Sequence, residues 1–202
     1  KLLMANLSLY YLTQLEGKVS LLPNQIDGNI DNHLLENLRA KIEGKTIEHG
    51  IVLKINRLID YEYGLIDKAN FMGTTVYQVK YECFICSPTK DLEIICRVAN
   101  NIKGFLVAQN GPVLIAIQFN NIDTQKFTIK DDNIVHIKTN KPIEKGDYLK
   151  VSIINIKNTL GSKNILTMAK LLNLASKEEI QSFQQDQQLA TGASETDTKI
   201  FI

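Results

Sequence analysis

Cys83-Phe84-Ile85-Cys86 has the C-x-x-C spacing shared by zinc knuckles and thiol–disulfide motifs, so it is the first stretch to test for chemistry. A structural zinc needs four ligands, and only Cys96 and three scattered histidines, His33, His49 and His136, remain to complete a set. The run is rich in β-branched and aromatic residues and reads as a strand, on which positions i and i+3 face opposite ways. The two thiols then diverge. A redox role needs the motif at a helix N-terminus, where the thiolate is stabilised. Buried cysteines in a strand are the better reading, with no metal and no cofactor expected.

Other candidates are weaker still. The histidines make no i, i+4 pair, and neither G-x-G-x-x-G nor G-x-x-x-x-G-K-[ST] occurs. Ser162, in Leu-Gly-Ser-Lys-Asn, lacks the second glycine of a nucleophile elbow and is better explained by a hairpin turn. Asp60, Glu62 and Asp67 cluster near a turn, where a solvated loop is the default. No catalytic residue is predicted, and the chain is expected not to be an enzyme.

The elements that carry these residues fall into two groups. Leu7–Leu12 and Gly17–Leu22 read as two strands closed by Pro23. Ile30, Leu34, Leu35, Leu38 and Ile42 form one helical stripe, entered through Asp27 or Asn29 and closed by Gly44. Strands follow at 51–59 and 65–67, with a turn at 60–64, and a long strand runs from Val76 to Cys86. The pattern implies a small α+β domain with its helix across an antiparallel sheet. Pro88 cannot sit inside a central strand. The strands on either side of Ser87-Pro88-Thr89-Lys90 are therefore assigned to different sheets, which makes this stretch the seam.

Beyond the seam, strands are expected at 92–99, 104–109, 112–119, 133–138, 147–157 and 164–171, with turns such as Asn110-Gly111-Pro112 between them. Short strands with no crossover helix predict a closed all-β barrel of OB-fold type. Ser176-Lys177-Glu178-Glu179 carries a capping-box pattern for one short helix, while Gln184–Lys199 reads as a flexible tail. The expected division is 1–86, 87–175 and a polar tail at 176–202.

Composition bounds the partners. A formal charge of +1 excludes a wholly basic, nucleic-acid-coating molecule. Locally, nine lysines between Lys126 and Lys170 face Asp131, Asp132, Glu144 and Asp147. Three cysteines fit a reducing compartment better than a disulfide scaffold. No apolar run approaches membrane-spanning length, and the opening Lys-Leu-Leu-Met-Ala-Asn is too short in apolar core for a signal peptide. A barrel of this type binds single-stranded nucleic acid on its second and third strands through basic and stacking side chains. Here that face draws on Lys103, Phe105, Gln118 and Phe119, with Lys138, Lys150, Lys157 and Lys163 nearby. The competing reading makes the phenylalanines core and the lysines solubilising. Any RNA binding would be weak and salt-sensitive.

Leu21-Leu22-Pro23, Asn37–Gly44, Gly50-Ile51-Val52-Leu53, Gly64-Leu65-Ile66, Tyr77–Tyr81, Ser87-Pro88-Thr89-Lys90 and Asn110-Gly111-Pro112 follow one another in an order that resembles a known family. That family is the stalk subunit of DNA-directed RNA polymerases: the seventh subunit of eukaryotic RNA polymerase II and its archaeal counterpart. The resemblance runs over roughly Leu7 to Leu172. It implies an α+β N-terminal tip domain that docks on the polymerase core subunits, followed by an OB-fold reaching nascent RNA. It also implies a small helical partner subunit. By analogy, Asp60, Tyr61, Glu62, Tyr63, Gly64 and Leu65 are the docking turn near the clamp, which the protein would wedge toward its closed state. The location implied is intracellular: nuclear or, for a viral member, the cytoplasmic viral factory and virion. The family's basic-Gly-Glu pattern after the seam proline is replaced here by Lys90-Asp91-Leu92-Glu93. The loop from Asn120 to Asn133 and the acidic, Gln-rich tail after Ser176 read as additions, and a composition rich in Ile, Asn and Lys, as an AT-rich genome gives, fits a divergent copy from a large DNA virus or an unusual eukaryote. The alternative reading is a free-standing OB-fold RNA-binding or translation-type protein, in which the Asp60–Leu65 turn is dispensable.

Overall fold

In the computed structural model, which describes residues 9–66, 73–102, 104–130 and 133–195, the apolar stripe at Ile30–Ile42 forms helix α1 over those same residues. Asn29 is its N-cap residue but makes no side-chain cap bond. Asp27 organises the entry instead, its Oδ1 accepting from the Asn29 N–H at 2.8 Å. Gly44, two residues past the helix, takes φ +72°, and its N–H donates to Val52 O at 2.8 Å. Leu34 and Leu38 on the inner face are fully buried.

The helix lies on an antiparallel sheet. Strands β1 (Tyr10–Leu21), β2 (Thr46–Ile47), β3 (Gly50–Tyr61), β4 (Leu65–Ile66) and β5 (Thr75–Cys86) assemble in the order β1-β5-β3-β2, with β4 also on β5. The two strands expected at 7–12 and 17–22 are one: Gly17 stays in register opposite Val79, under the Tyr81 ring, so the ladder is not broken. Leu7 and Ser8 lie outside the described residues. The register of β3 against β5 shifts at three places, between Val52 and Lys54, Ile55 and Arg57, and Leu58 and Asp60. Each bulge adds twist, curling the sheet around α1. Val19, Leu21, Leu34, Leu38, Ile55 and Tyr81 belong to the resulting core.

β5 ends at Cys86 and the next strand, β6 (Glu93–Ile102), belongs to a different sheet. With β7 (Phe105–Asn110), β8 (Val113–Ile122), β12 (Tyr148–Lys157) and β13 (Ile165–Leu174) it closes a five-stranded barrel in the order β12-β13-β8-β7-β6. One pair, β13 with β8, is parallel and the others are antiparallel. This barrel is compatible with an OB-fold. Ile115, Ile117, Leu149, Val151, Ile153 and Ala169 fill it.

Two stretches differ from the sequence expectation. The supposed loop at 120–133 contains a strand, β9 (Phe127–Lys130). It pairs with β10 (Asn133–His136), which pairs in turn with β11 (Lys141–Pro142). Phe127 is its anchor: it is fully buried, with its ring edge-on to His136 at 5.4 Å. The supposed flexible tail at Gln184–Lys199 is, as far as Glu195, part of helix α2, Lys177–Glu195; residues 196–199 lie outside the described residues. The expected capping box is formed, the Ser176 N–H donating to Glu179 Oε2 at 2.8 Å and the Glu179 N–H to Ser176 Oγ at 3.2 Å. Polar composition alone suggested disorder, but Phe183 gives the helix a tertiary anchor on Tyr148. No helix among the described residues is long and apolar enough to cross a membrane.

The sheet and the barrel share apolar packing. Leu9, Tyr10, Ile51 and Cys86, from the base of the sheet, lie in the same buried cluster as the barrel interior.

Candidate functional site

Strand alternation decides where each thiol goes. Cys83 faces the α1 side of the sheet and Cys86 the barrel side. The C-x-x-C pair therefore forms no common ligand set. Burial pushes the Cys83 thiol up to about 11 and Cys86 up to about 12, and it raises Cys96 as well. High thiol pKa values oppose thiolate chemistry.

At the far end of the sheet, Asp60 to Leu65 line one open cleft of about 900 Å³ together with Ile30 and Tyr77. Asp60 and Tyr61 finish β3 rather than forming the turn, which narrows to Glu62-Tyr63-Gly64 before β4 begins. The Glu62 N–H donates to Gln78 O at 2.9 Å, so the turn is held on the sheet. The Tyr61 ring packs edge-on against Tyr77 at 6.0 Å, and Asp31 beside its hydroxyl raises its pKa. Tyr63 is 97% exposed, Leu65 74% and Ile66 62%. Large apolar side chains gathered at one exposed edge mark an interaction surface more often than an accident of packing.

The expected RNA-contacting residues separate. Phe105 on β7 is 42% exposed and stands opposite Gln118 on β8. Phe119, one residue on, points the other way into the barrel core at 9% exposure. For it the core reading applies, because neighbouring residues of a strand face opposite sides. Lys103 lies outside the described residues. Lys138 is exposed in the turn after β10, and Lys163 is exposed in the loop between β12 and β13. Lys150 is held between Glu93 and Glu179, at 3.1 Å from each, so its charge is already neutralised. Lys157 borders a groove of about 390 Å³ floored by Val107, Leu114, Ala116, Leu166 and Met168.

That groove was not expected, although its signal is in the sequence. Val113–Ile117 and Ile165–Ala169 are apolar at nearly every position instead of alternating with polar residues. A barrel strand fills its interior with one phase only, so the second apolar phase must emerge on the outside. Also unforeseen is a polar node at the base of the sheet. Tyr10 Oη donates to Asn110 Oδ1 at 2.7 Å, Asn110 Nδ2 to Ile95 O at 2.8 Å, and Gln187 Nε2 to Asn110 Oδ1 at 2.7 Å. Burial raises the Tyr10 pKa, which keeps the hydroxyl protonated as donor.

No protein-family model matches the chain. It is 56% identical over 199 residues to the "Putative DNA-directed RNA polymerase subunit" of Acanthamoeba polyphaga mimivirus, an alignment covering 98% of this chain and 100% of that protein. It is 25% identical over 138 residues to DNA-directed RNA polymerase II subunit RPB7 of Glycine max, covering 62% of this chain and 76% of that protein. The chain belongs to the family of DNA-directed RNA polymerase subunits that takes in the mimivirus protein and, more distantly, RPB7, as a divergent member nearer the viral one.

Proposed function

We propose that the protein is a non-catalytic stalk subunit of a multisubunit DNA-dependent RNA polymerase. Its α+β tip domain (residues 1–86) docks on the core subunits, and its OB-fold (87–175) contacts nascent RNA. The carrying observation is the cleft at Asp60–Leu65, where Tyr63, Leu65 and Ile66 leave apolar surface exposed at the far end of the sheet. Burying such anchors against a partner supplies association energy, with the surrounding charges setting orientation.

On the barrel, Phe105 offers one stacking surface beside Gln118, and Lys157 and Lys163 offer charge, so RNA affinity would be low and salt-dependent. The Val107–Met168 groove suits an apolar helix face better than a phosphate backbone, and we assign it to the small helical partner subunit. The protein works inside the cell wherever that polymerase transcribes.

The test is affinity capture of the full chain from its native source, wild type against Tyr63→Ala/Leu65→Asp. Both residues are largely exposed, so the two changes together should alter folding by no more than about 1 kcal/mol. Large polymerase subunits should accompany the wild type in near-equal amounts and be lost from the variant. Capture of RNA or ribosomes without polymerase would overturn the reading in favour of a free RNA-binding protein.

A further inference from the structure

Helix α2 lies along the junction of sheet and barrel and uses one face to touch both. Glu179, Phe183 and Gln187 recur every four residues and so stand on one stripe of the helix. Glu179 reaches Lys150 on β12 at 3.1 Å, and the Phe183 ring meets Tyr148 on β12 edge-on at 5.6 Å. One turn beyond Phe183, Gln187 Nε2 donates to Asn110 Oδ1 at 2.7 Å and to Tyr10 Oη at 3.1 Å. Asn110 ends β7 in the barrel, whereas Tyr10 opens β1 in the sheet. Beneath the helix is a cavity of about 210 Å³ lined by Leu9, Tyr10, Ile94, Asn110, Phe183 and Asp186 among others.

The two edges of the sheet are tied to the barrel in different ways. On the β2 edge the ties include main chain: the Thr46 N–H donates to Ser162 O and the Gly161 N–H to Thr46 O, both at 2.8 Å. On the β1 edge the ties among the described residues are side chains: the node of Tyr10, Asn110 and Gln187, and the packing of Leu9 and Tyr10 in the barrel's buried cluster. β1 and β2 are the opposite edges of the sheet. A body fixed by main-chain bonds along one edge and latched by side chains along the other can pivot about the first when the second lets go.

We propose that α2 is a strap that fixes the angle between sheet and barrel, with Gln187 bracing the direct Tyr10–Asn110 bond as the latch on the β1 edge and the Thr46–Gly161–Ser162 contact as the pivot. The proposal rests on this chain's own contacts and stands whether or not the polymerase reading holds. Release of the strap frees the angle while leaving the barrel folded, because the barrel closes through β12-β13-β8-β7-β6 without α2.

The experiment uses the full chain with spin labels at Asn24→Cys and Thr124→Cys, both exposed positions on opposite sides of the seam. The native thiols are buried and do not compete for label. The inter-label distance distribution and segment-resolved amide exchange are compared for wild type, Gln187→Leu and Phe183→Ala/Gln187→Leu. The expected result is a broader distance distribution, with exchange faster by roughly tenfold or more at the start of β1 and around Asn110. Exchange in the interior of β8 should be unchanged. Unchanged distances in both variants would overturn the proposal. So would equal acceleration throughout the barrel, which would make α2 a part of the barrel fold and not a strap across the seam. Gln187→Leu keeps the Phe183 anchor, so a folding failure of the double variant leaves the single variant to decide.

Discussion

Thr46 and Ser162, 116 residues apart in sequence, meet at the seam. The Thr46 hydroxyl donates to Ser162 O at 2.8 Å and lies 3.1 Å from Ser162 Oγ, while Thr46 is buried. Thr46 is on the edge of the sheet and Ser162 in the loop between the last two barrel strands, so the turn read as an ordinary hairpin tip is a joint. Thr46→Val keeps the shape and removes the hydroxyl. It should lower stability by about 1 kcal/mol. Urea unfolding checks this: the midpoint should fall with the slope unchanged. An unaltered midpoint would show that the main-chain bonds alone hold the joint.

Gly111 follows the buried Asn110 with φ +53°, and a Cβ placed on it would collide with the Tyr10 hydroxyl. Gly111→Ala should cost about 1–3 kcal/mol from left-handed strain and the clash together. Combining it with Tyr10→Phe, which removes the colliding oxygen, should recover part of that cost. A double-mutant cycle reads the coupling directly, and strictly additive losses would contradict the contact.

Asp91 holds φ +63° in the turn entering β6, with its N–H donating to Ile153 O at 2.8 Å. This is a left-handed position, which glycine adopts without the steric cost a Cβ brings. Asp91→Gly should therefore stabilise the protein, by roughly 0.5 kcal/mol once glycine's extra freedom in the unfolded chain is subtracted. Thermal unfolding would show a higher midpoint, whereas a lower one would mean the aspartate makes a contribution that outweighs its strain.

The buried thiols give stability a pH dependence of known sign. Folding raises Cys83 to about 11 and Cys86 to about 12, and raises Cys96 too, against about 8.5 in an unfolded chain. The unfolded state then loses protons first as pH rises. The thiols' contribution is complete below about pH 8 and declines from there toward pH 11–12. Tyr10 and Tyr81 are raised as well and add to the decline only from about pH 10 upward. Comparing unfolding midpoints at pH 8 and 9.5 isolates the thiols, and Cys96→Ala should flatten the difference. A thiol reagent at pH 8 should label the folded protein slowly and the urea-unfolded protein fully.

Local patterns carried much of the architecture. The Ile30–Ile42 stripe is helical from end to end because spacing and caps are local properties. The divergence of Cys83 and Cys86 follows from strand periodicity alone, since i and i+3 cannot share a face. Pro88 marked where a strand of one sheet ends and that of another begins, because a missing N–H is a covalent fact. The order of short family-like segments pointed to the polymerase subunits without any reference to the fold.

What required the folded chain was every property set by partners distant in sequence. Polar residues at 177–195 read as a tail because a helix poor in apolar residues gains little by itself; Lys150, Tyr148 and Asn110, brought close by barrel closure, supply its anchors. Phe105 and Phe119 are alike in composition, and only strand phase and closure put one in water and the other in the core. Lys150 counts as a basic residue in the sequence, yet Glu93 and Glu179 neutralise it. The sequence by itself determined the local elements and the family, whose signals lie within a few residues of one another. The tertiary structure decided which side chains are free to act, because exposure and charge compensation depend on which neighbours the fold delivers.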